Sequence, residues 1–420
     1  MEQDFAALGY EIVAFGEKAD VSVVNTCAVT EESARKSCQM MRRAKKISPQ
    51  TVTVVVGCLA QTGDAAKLAE ADVVVGSKHK RDVPRFVDEF LTGGRRIVAV
   101  GDMTFEKEFE PMRADRGEKT RAQIKIQDGC NNFCSYCIIP YARGRIRSKD
   151  IDDAFDEAVS IVNNGYKEIV FTGIHLDSYG KEHGRFDLCD LLEKVDKIEG
   201  LERIRLGSVE PTFINEKNVS RLKNLRTLCP HFHLSLQSGS DDILRKMNRH
   251  YTTEEYSAAV DGLRKAFDVV CVTTDIITGF PTETEENHKQ SLEFAKKIGF
   301  AKIHVFPFSP RKGTKAYEMK EQIPAGIKKR RTAEMLEVAK ESAEKFYSSK
   351  TGNTVSVLFE HRKNGLFTGL TPDYAEVGVK TERDLTNMIL TAKIISSDGE
   401  CCLGELLENG GKDFGEEKGI

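Results

Sequence analysis

Over its first hundred residues the chain alternates nearly unbroken valine-rich runs with stretches whose apolar positions recur at helical spacing. Residues 19–29, 51–60 and 71–76 read as strands buried on both faces, because a continuous apolar run leaves no face for water. Thr30, followed by Glu31 and Glu32, opens a helix behind the first of them, and residues 82–91 form another. The alternation predicts an open, mainly parallel α/β sheet over residues 1–100. Cys27 and Cys58 each fall at the carboxyl end of a predicted strand, where such sheets place their ligands.

Residues 101–119 are polar and without periodicity, the texture of a linker. A second alternation then begins, with strands expected at 122–127, 168–172, 203–207, 231–236, 269–277 and 302–308. Helical stretches at 151–164, 187–197, 218–228, 254–266 and 285–297 separate them. Six β/α units with short connections predict a partial (β/α)6 barrel within residues 120–350, with its chemistry at the strands' carboxyl ends. A second doubly wound sheet satisfies the same periodicity. After a long charged helix at 325–350, short β-like runs at 354–360, 374–379 and 387–395 predict a small β-barrel over 351–410. Residues 411–420, rich in Gly and Glu, read as a frayed tail. The fold class is α/β with a β appendage.

Charge and composition narrow the options. With 62 basic and 65 acidic side chains the net charge is −3, so any nucleic-acid contact must come from local patches. The longest apolar run, 51–60, is half of what a bilayer requires, and the acidic start Met1-Glu2-Gln3-Asp4-Phe5 lacks a signal's apolar segment. A cytoplasmic protein with no membrane contact is expected. Eleven cysteines, an odd number in a large chain, point to reduced thiols for metal or redox work rather than to disulfides.

The most specific feature is Gly129-Cys130-Asn131-Asn132-Phe133-Cys134-Ser135-Tyr136-Cys137, directly after the first barrel strand. Chance gives three cysteines at such offsets less than about once in a hundred chains of this composition, and the spacing reads as metal binding. Three thiolates on one loop can hold three irons of a 4Fe–4S cluster and leave the fourth iron open. Zinc is the rival; it would want a fourth Cys or His close by, and Ile138-Ile139-Pro140 offers none.

A C-x3-C-x2-C run after the first strand of a six-unit barrel resembles the radical S-adenosylmethionine (SAM) superfamily. The string from Lys125 to Ser148, ending Ala142-Arg143-Gly144-Arg145-Ile146-Arg147-Ser148, is similar to the methylthiotransferases within it. So are Thr172-Gly173-Ile174-His175, Leu236-Gln237-Ser238-Gly239-Ser240, Met247-Asn248-Arg249-His250-Tyr251 and Thr278-Gly279-Phe280-Pro281-Thr282-Glu283-Thr284. The settings of Cys27 and Cys58 match as well, and the similarity spans nearly the whole chain. His304-Val305-Phe306-Pro307-Phe308-Ser309 and the Arg143–Ser148 string resemble the branch acting on threonylcarbamoyladenosine in tRNA, the MtaB type.

The resemblance implies that Cys130, Cys134 and Cys137 hold a 4Fe–4S cluster whose open iron binds SAM, and that one-electron cleavage of SAM yields a 5′-deoxyadenosyl radical. Tyr136 would lie near the adenine; from the residues alone it is equally a plain loop aromatic. Gly279, Phe280 and Pro281 would shape the adenine pocket, with Thr282 standing where the family usually has Gly. Gln237 and Ser238 would face the same mouth, as SAM ligands or as the end of a turn. Cys27 and Cys58 correspond to two of three ligands of an auxiliary 4Fe–4S cluster. The third is expected on a strand ahead of the first helix, and Met1–Gly9 reads as the interior or end of that helix, so a truncated or mis-started chain is the expectation. Cys38, some 12–15 Å along its helix from Cys27, is a poor substitute.

Arg143, Arg145 and Arg147, with Lys149, alternate past the cluster loop; if extended, they project to one side as a phosphate-binding row for RNA. The carboxyl-terminal module resembles a TRAM domain. Its seven Lys/Arg against twelve Asp/Glu over 351–420 leave RNA contact to a few side chains such as Arg362, Lys363 and Lys380, or to Phe367 and Tyr374. The implied activity is transfer of a methylthio group to the adenine ring of N6-threonylcarbamoyladenosine beside the anticodon. The alternatives are isopentenyladenosine in tRNA, a ribosomal protein, or a non-catalytic iron–sulfur RNA-binding protein. The implied partners are tRNA and a reductant of flavodoxin type, with the chain as a monomer.

Overall fold

The computed structural model describes residues 1–63, 65–110 and 120–407. Four parallel strands in chain order, Val21–Thr26, Val52–Gly57, Val73–Val75 and Ile97–Ala99, form the amino-terminal sheet. The second is buried at all six positions, as an interior strand covered on both faces must be. The helix Glu31–Ile47 starts where Thr30 predicts, its hydroxyl accepting the Ser33 N–H at 3.1 Å, with Lys45 and Lys46 in its last turn. The fourth strand lies outside the expected runs; it is partly exposed at every position and so lacks the continuous apolar run that marks the third.

The central strands settle the choice between barrel and doubly wound sheet. Arg121–Lys125, Glu168–Thr172 and Arg203–Leu206 form one parallel sheet, while Ser208–Val209, His231–Leu234, Cys271–Thr278 and Lys302–Pro307 form another. The third strand, interrupted at Gly207, belongs to both, so six strands follow one another without the reversal of order that marks a doubly wound sheet. Sixth and first strands do not pair, which leaves a partial barrel open on one side. Its outer wall is the largest apolar core, where Phe171, Ile204, Phe232 and Ile276 meet helix residues such as Ala158, Leu192 and Val260.

The helix Ala325–Ser348 leads to a closed five-stranded barrel made of Thr354–Lys363, Leu366–Leu370, Glu376–Val379, Ile389–Ser397 and Cys402–Leu406. The hairpin at Asn364-Gly365 has both residues at positive φ, 51° and 81°, the turn that Asn-Gly encodes. This small barrel covers the amino-terminal end of the central one. Arg205 lies in the interior, bonded to Glu168 Oε1 at 2.9 Å and to the carbonyls of Pro372 and Thr371. Arg203 reaches Leu370 O, and Tyr374 stacks on His231 with ring centroids 4.4 Å apart. Phe367 is buried. The two aromatics expected to face RNA are instead part of the plug and its core. Of the expected linker, residues 101–110 carry no helix or strand; 111–119 and the tail at 411–420 lie outside the described residues. Among the described residues no helix is long and apolar enough to cross a membrane.

Candidate iron–sulfur and SAM site

The loop 129–138 leaves the first barrel strand and ends in the short helix Ile139–Arg143. Gly129, at φ 72°, lies so close to Arg145 O that a Cβ would come within 1.8 Å, and only glycine permits that crossing. The loop is tied down from across the barrel mouth. Ser135 bonds through its N–H to Met247 O and through its hydroxyl to Lys246 O, and Asn248 Nδ2 donates to the Asn132 and Phe133 carbonyls. Asn132 Nδ2 donates to Glu210 Oε1 at 2.8 Å, and Arg249 reaches the same oxygen at 2.8 Å while its other nitrogen lies 3.4 Å from Cys134 Sγ.

The three thiols fit an iron–sulfur cluster better than zinc. Burial pushes the Cys130 and Cys137 thiols up to about 11 and about 12, with the neighbouring cysteines adding to it, so the three side chains converge on one region. A tetrahedral zinc would draw its sulfurs to about 3.8 Å from one another. Among the described residues only one set of three His, Cys, Asp or Glu ligand atoms lies wholly within 4.8 Å, and it contains none of these cysteines. Three thiolates on one loop that carries no histidine suit a cluster with one open iron better than a closed zinc shell. An N–H from Asn132 onto Cys130 Sγ at 3.5 Å and the Arg249 guanidinium beside Cys134 are the contacts that anionic cluster sulfurs need.

Around this loop the other expected residues take different parts. Tyr136 packs with Met247, Phe280 and Phe308, and burial holds its hydroxyl well above the usual phenol range. Phe280 is fully buried edge-on to Phe308, and Pro281 is buried beside it. Gly279, at φ 70°, gives its N–H to Glu283 Oε1. Gln237 sits at φ 68°, where the fourth strand's continuation pairs with the fifth, a strained position at the barrel mouth. Ser238 does not open into that mouth. Its buried hydroxyl lies 3.2 Å from Ser291 Oγ of the helix Glu285–Ile298.

Thr282 occupies a conformation that suits glycine. It adopts φ 69°, a left-handed conformation costing an L-residue about 1–2 kcal/mol, and its Oγ1 is buried without a partner. Even after the entropy that glycine returns to the unfolded chain, Thr282→Gly is expected to stabilise the protein by about 1–2 kcal/mol in a denaturant titration.

The amino-terminal sheet brings Cys58, with Cys27 at the end of the neighbouring strand, against the end of the cluster loop. Thr26 pairs with Gly57 in the parallel register, so Cys27 and Cys58 leave neighbouring strands about 5 Å apart. Cys58, Ala28, Ile138 and Ala142 form one apolar cluster that joins the sheet to the end of the cluster loop. Arg143 Nε lies 3.0 Å from Cys58 Sγ, and Arg311 Nε donates to Ala28 O. Lys80 adds a second cation here, lowered to about 8 by burial and by Arg143 and Lys125. Cys38 points away into the sheet's own core with Met41 and Val55.

The row of arginines is not formed. Residues 139–143 are helical and only Arg147–Ser148 is extended, so the two-residue alternation does not hold. Arg147 is buried with its guanidinium on the Arg143 and Arg145 carbonyls, 3.5 Å from Asp128, and Lys149 is buried against Glu157. Arg143 turns inward to Cys58 and Asp128. Burial alone would raise the Asp128 carboxyl; Lys125, Arg143 and Arg147 outweigh it and hold the group below its usual range. Arg145 alone is exposed, stacked 4.6 Å over the Phe133 ring.

Comparison with known proteins identifies the family. The radical SAM superfamily matches over residues 124–295, and an uncharacterized protein family, UPF0004, over residues 1–76. The threonylcarbamoyladenosine tRNA methylthiotransferase MtaB of Bacillus subtilis is 35% identical over 404 residues, covering 94% of this chain and 90% of that protein. Its Aquifex aeolicus counterpart is 37% identical, covering 93% and 95%. The tRNA-2-methylthio-N(6)-dimethylallyladenosine synthase of Clostridium tetani is 36% identical, covering 84% and 80%. Among solved structures, the radical SAM methyltransferase TsrM from Kitasatospora setae superposes with a TM-score of 0.51 at 14% identity. It covers 72% of this chain and, at 64%, just under two thirds of that one, a likeness of fold alone. The chain belongs to the methylthiotransferase family of radical SAM enzymes, and is a transferase whose family implies a 4Fe–4S cluster and SAM.

Proposed function

We propose that this enzyme adds a methylthio group to the adenine ring of N6-threonylcarbamoyladenosine in tRNA, with Cys27 and Cys58 holding an auxiliary iron–sulfur cluster beside the SAM site. One observation carries the two-site reading: the cysteine-bearing strand ends of the amino-terminal sheet abut the loop of Cys130, Cys134 and Cys137, with Arg143 bridging toward Cys58 at 3.0 Å. The choice of nucleoside rests on the two MtaB relatives, which align over more than nine tenths of the chain.

When loaded, the cluster and SAM supply one-electron cleavage of the sulfonium and abstraction of a hydrogen atom. The chain's own residues position and insulate that chemistry. Arg249 and Asn132 fix the loop to Glu210; Tyr136, Phe280 and Phe308 keep the pocket dry; Arg143 and Lys80 set positive charge beside Cys58. Arg145, exposed on Phe133, is the phosphate contact nearest the loop, and Arg145→Ala is expected to weaken tRNA binding and lower its salt slope by about one.

Nucleoside analysis of tRNA from a deletion strain tests the assignment. The methylthio derivative of threonylcarbamoyladenosine disappears while that of isopentenyladenosine persists. The reverse pattern overturns the choice of branch.

A further inference from the structure

On the inner face of the barrel, with no cysteine among them, His233, Asp275 and His304 offer three ligand atoms that all lie within 4.8 Å of one another. The register explains the convergence. Asp275 is directly opposite His304 on the fifth and sixth strands, and His233 is opposite Thr273, two residues before Asp275 and therefore on the same face. Phe232 and Leu234 turn the other way into the outer core, which leaves His233 facing the interior. The group lies just below the mouth, where Gln237 N–H donates to Asp275 O at 2.8 Å.

The contacts within the group are those of converging donors. His233 Nε2 is 3.4 Å from Asp275 Oδ2, yet it is a buried nitrogen that makes no hydrogen bond. Two ligands bound at about 2.0–2.1 Å in a tetrahedron stand about 3.4 Å apart, so the separation is the one a shared zinc would set. The second ring nitrogen is already engaged. His233 Nδ1 meets Thr273 Oγ1 at 3.0 Å, and that hydroxyl is 3.2 Å from His231 Nε2. Nδ1–H donating to Thr273 leaves the Nε2 lone pair as the coordinating one, the outer support that metal-bound histidines use. Two imidazoles and one carboxylate on adjacent strands match borderline divalent metals, and three protein ligands leave a fourth position open to the barrel interior.

We propose that His233, Asp275 and His304 form a divalent transition-metal site, zinc being the best fit, distinct from the iron–sulfur centres. The test uses the full chain with its clusters loaded, washed with chelator, and titrated with Zn²⁺ alone while iron content is followed. Expected is about one equivalent of tightly held zinc with no loss of iron. His304→Ala, at an exposed position, abolishes that equivalent, and Asp275→Asn does the same. Thr273→Val weakens it by about 10–100-fold through the supporting contact. Absence of the equivalent in the parent protein, or equal zinc uptake by both ligand variants with iron intact, overturns the proposal.

Discussion

Replacing Cys134 by alanine is expected to leave a folded protein that lacks the iron of the radical site and yields only background 5′-deoxyadenosine from SAM and a reductant. The side chain is small and buried at 9% exposure, so its removal costs the fold little, on the order of 1 kcal/mol. The chemical loss is total, because two thiolates do not replace three, and the same holds for Cys130 and Cys137. Cys58→Ala is the matched control. It lies across the domain contact, 3.0 Å from Arg143, and is expected to keep SAM cleavage within a few-fold while methylthio product disappears. Iron and sulfide analysis together with product chromatography separates the two sites. Loss of SAM cleavage in both variants would show that the cysteines of the two domains serve one centre.

Those cysteines are the part of the site that is legible in the chain, because the loop that carries them is local and its spacing survives without any knowledge of the fold. The groups that hold the loop are not. Asn132 and Glu210 are 78 residues apart, and Arg249 and Cys134 are 115 apart, so no window of periodicity contains both partners. The string Met247–Tyr251 is conspicuous in the sequence, yet only the fold shows that Arg249 closes on Glu210. The opposite error occurs at Arg143–Arg147. A basic row reads as solvated or phosphate-binding unless a buried acid is known to face it, and Asp128 becomes that acid only once the strand Gln127–Asp128 pairs with Arg147–Ser148. Tyr374 misleads for the same reason: in a polar stretch of an isolated small barrel it looks free, and docking on the central barrel stacks it against His231 and Arg205. Fold class, strand count in the barrel and the capped helix at Thr30 were readable because each depends on neighbours within a few residues. What depends on two elements meeting was not.

Glu210 and Arg249 carry the second large effect. Both side chains are nearly buried, at 11% and 7% exposure, and they meet at 2.8 Å under the cluster loop. Arg249→Met leaves a buried carboxylate with Asn132, His175 and the nearby His250 but without its permanent cation, and buried charges that lose their partner in this way cost about 3–5 kcal/mol. The double variant Arg249→Met with Glu210→Gln removes both charges and is expected to recover most of that loss; failure to recover would mean that the stability lies in the arginine's packing over Tyr251 rather than in the pair. Acid titration gives an independent readout. Burial would raise the Glu210 carboxyl, but His175 and Arg249 outweigh it and hold it below its unfolded value. Its contribution is therefore complete above the unfolded pKa near about 4.3 and is lost as the pH falls through the lower folded value. Denaturant midpoints measured between neutral pH and about pH 3 should converge for the parent and the double variant at the acid end and separate toward neutrality. Because Arg249 also faces Cys134 at 3.4 Å, the single variant is expected to lose iron faster than the parent under chelator even where both are folded. A stable Arg249→Met protein with unchanged iron retention would remove the clamp from the account of how this loop is held.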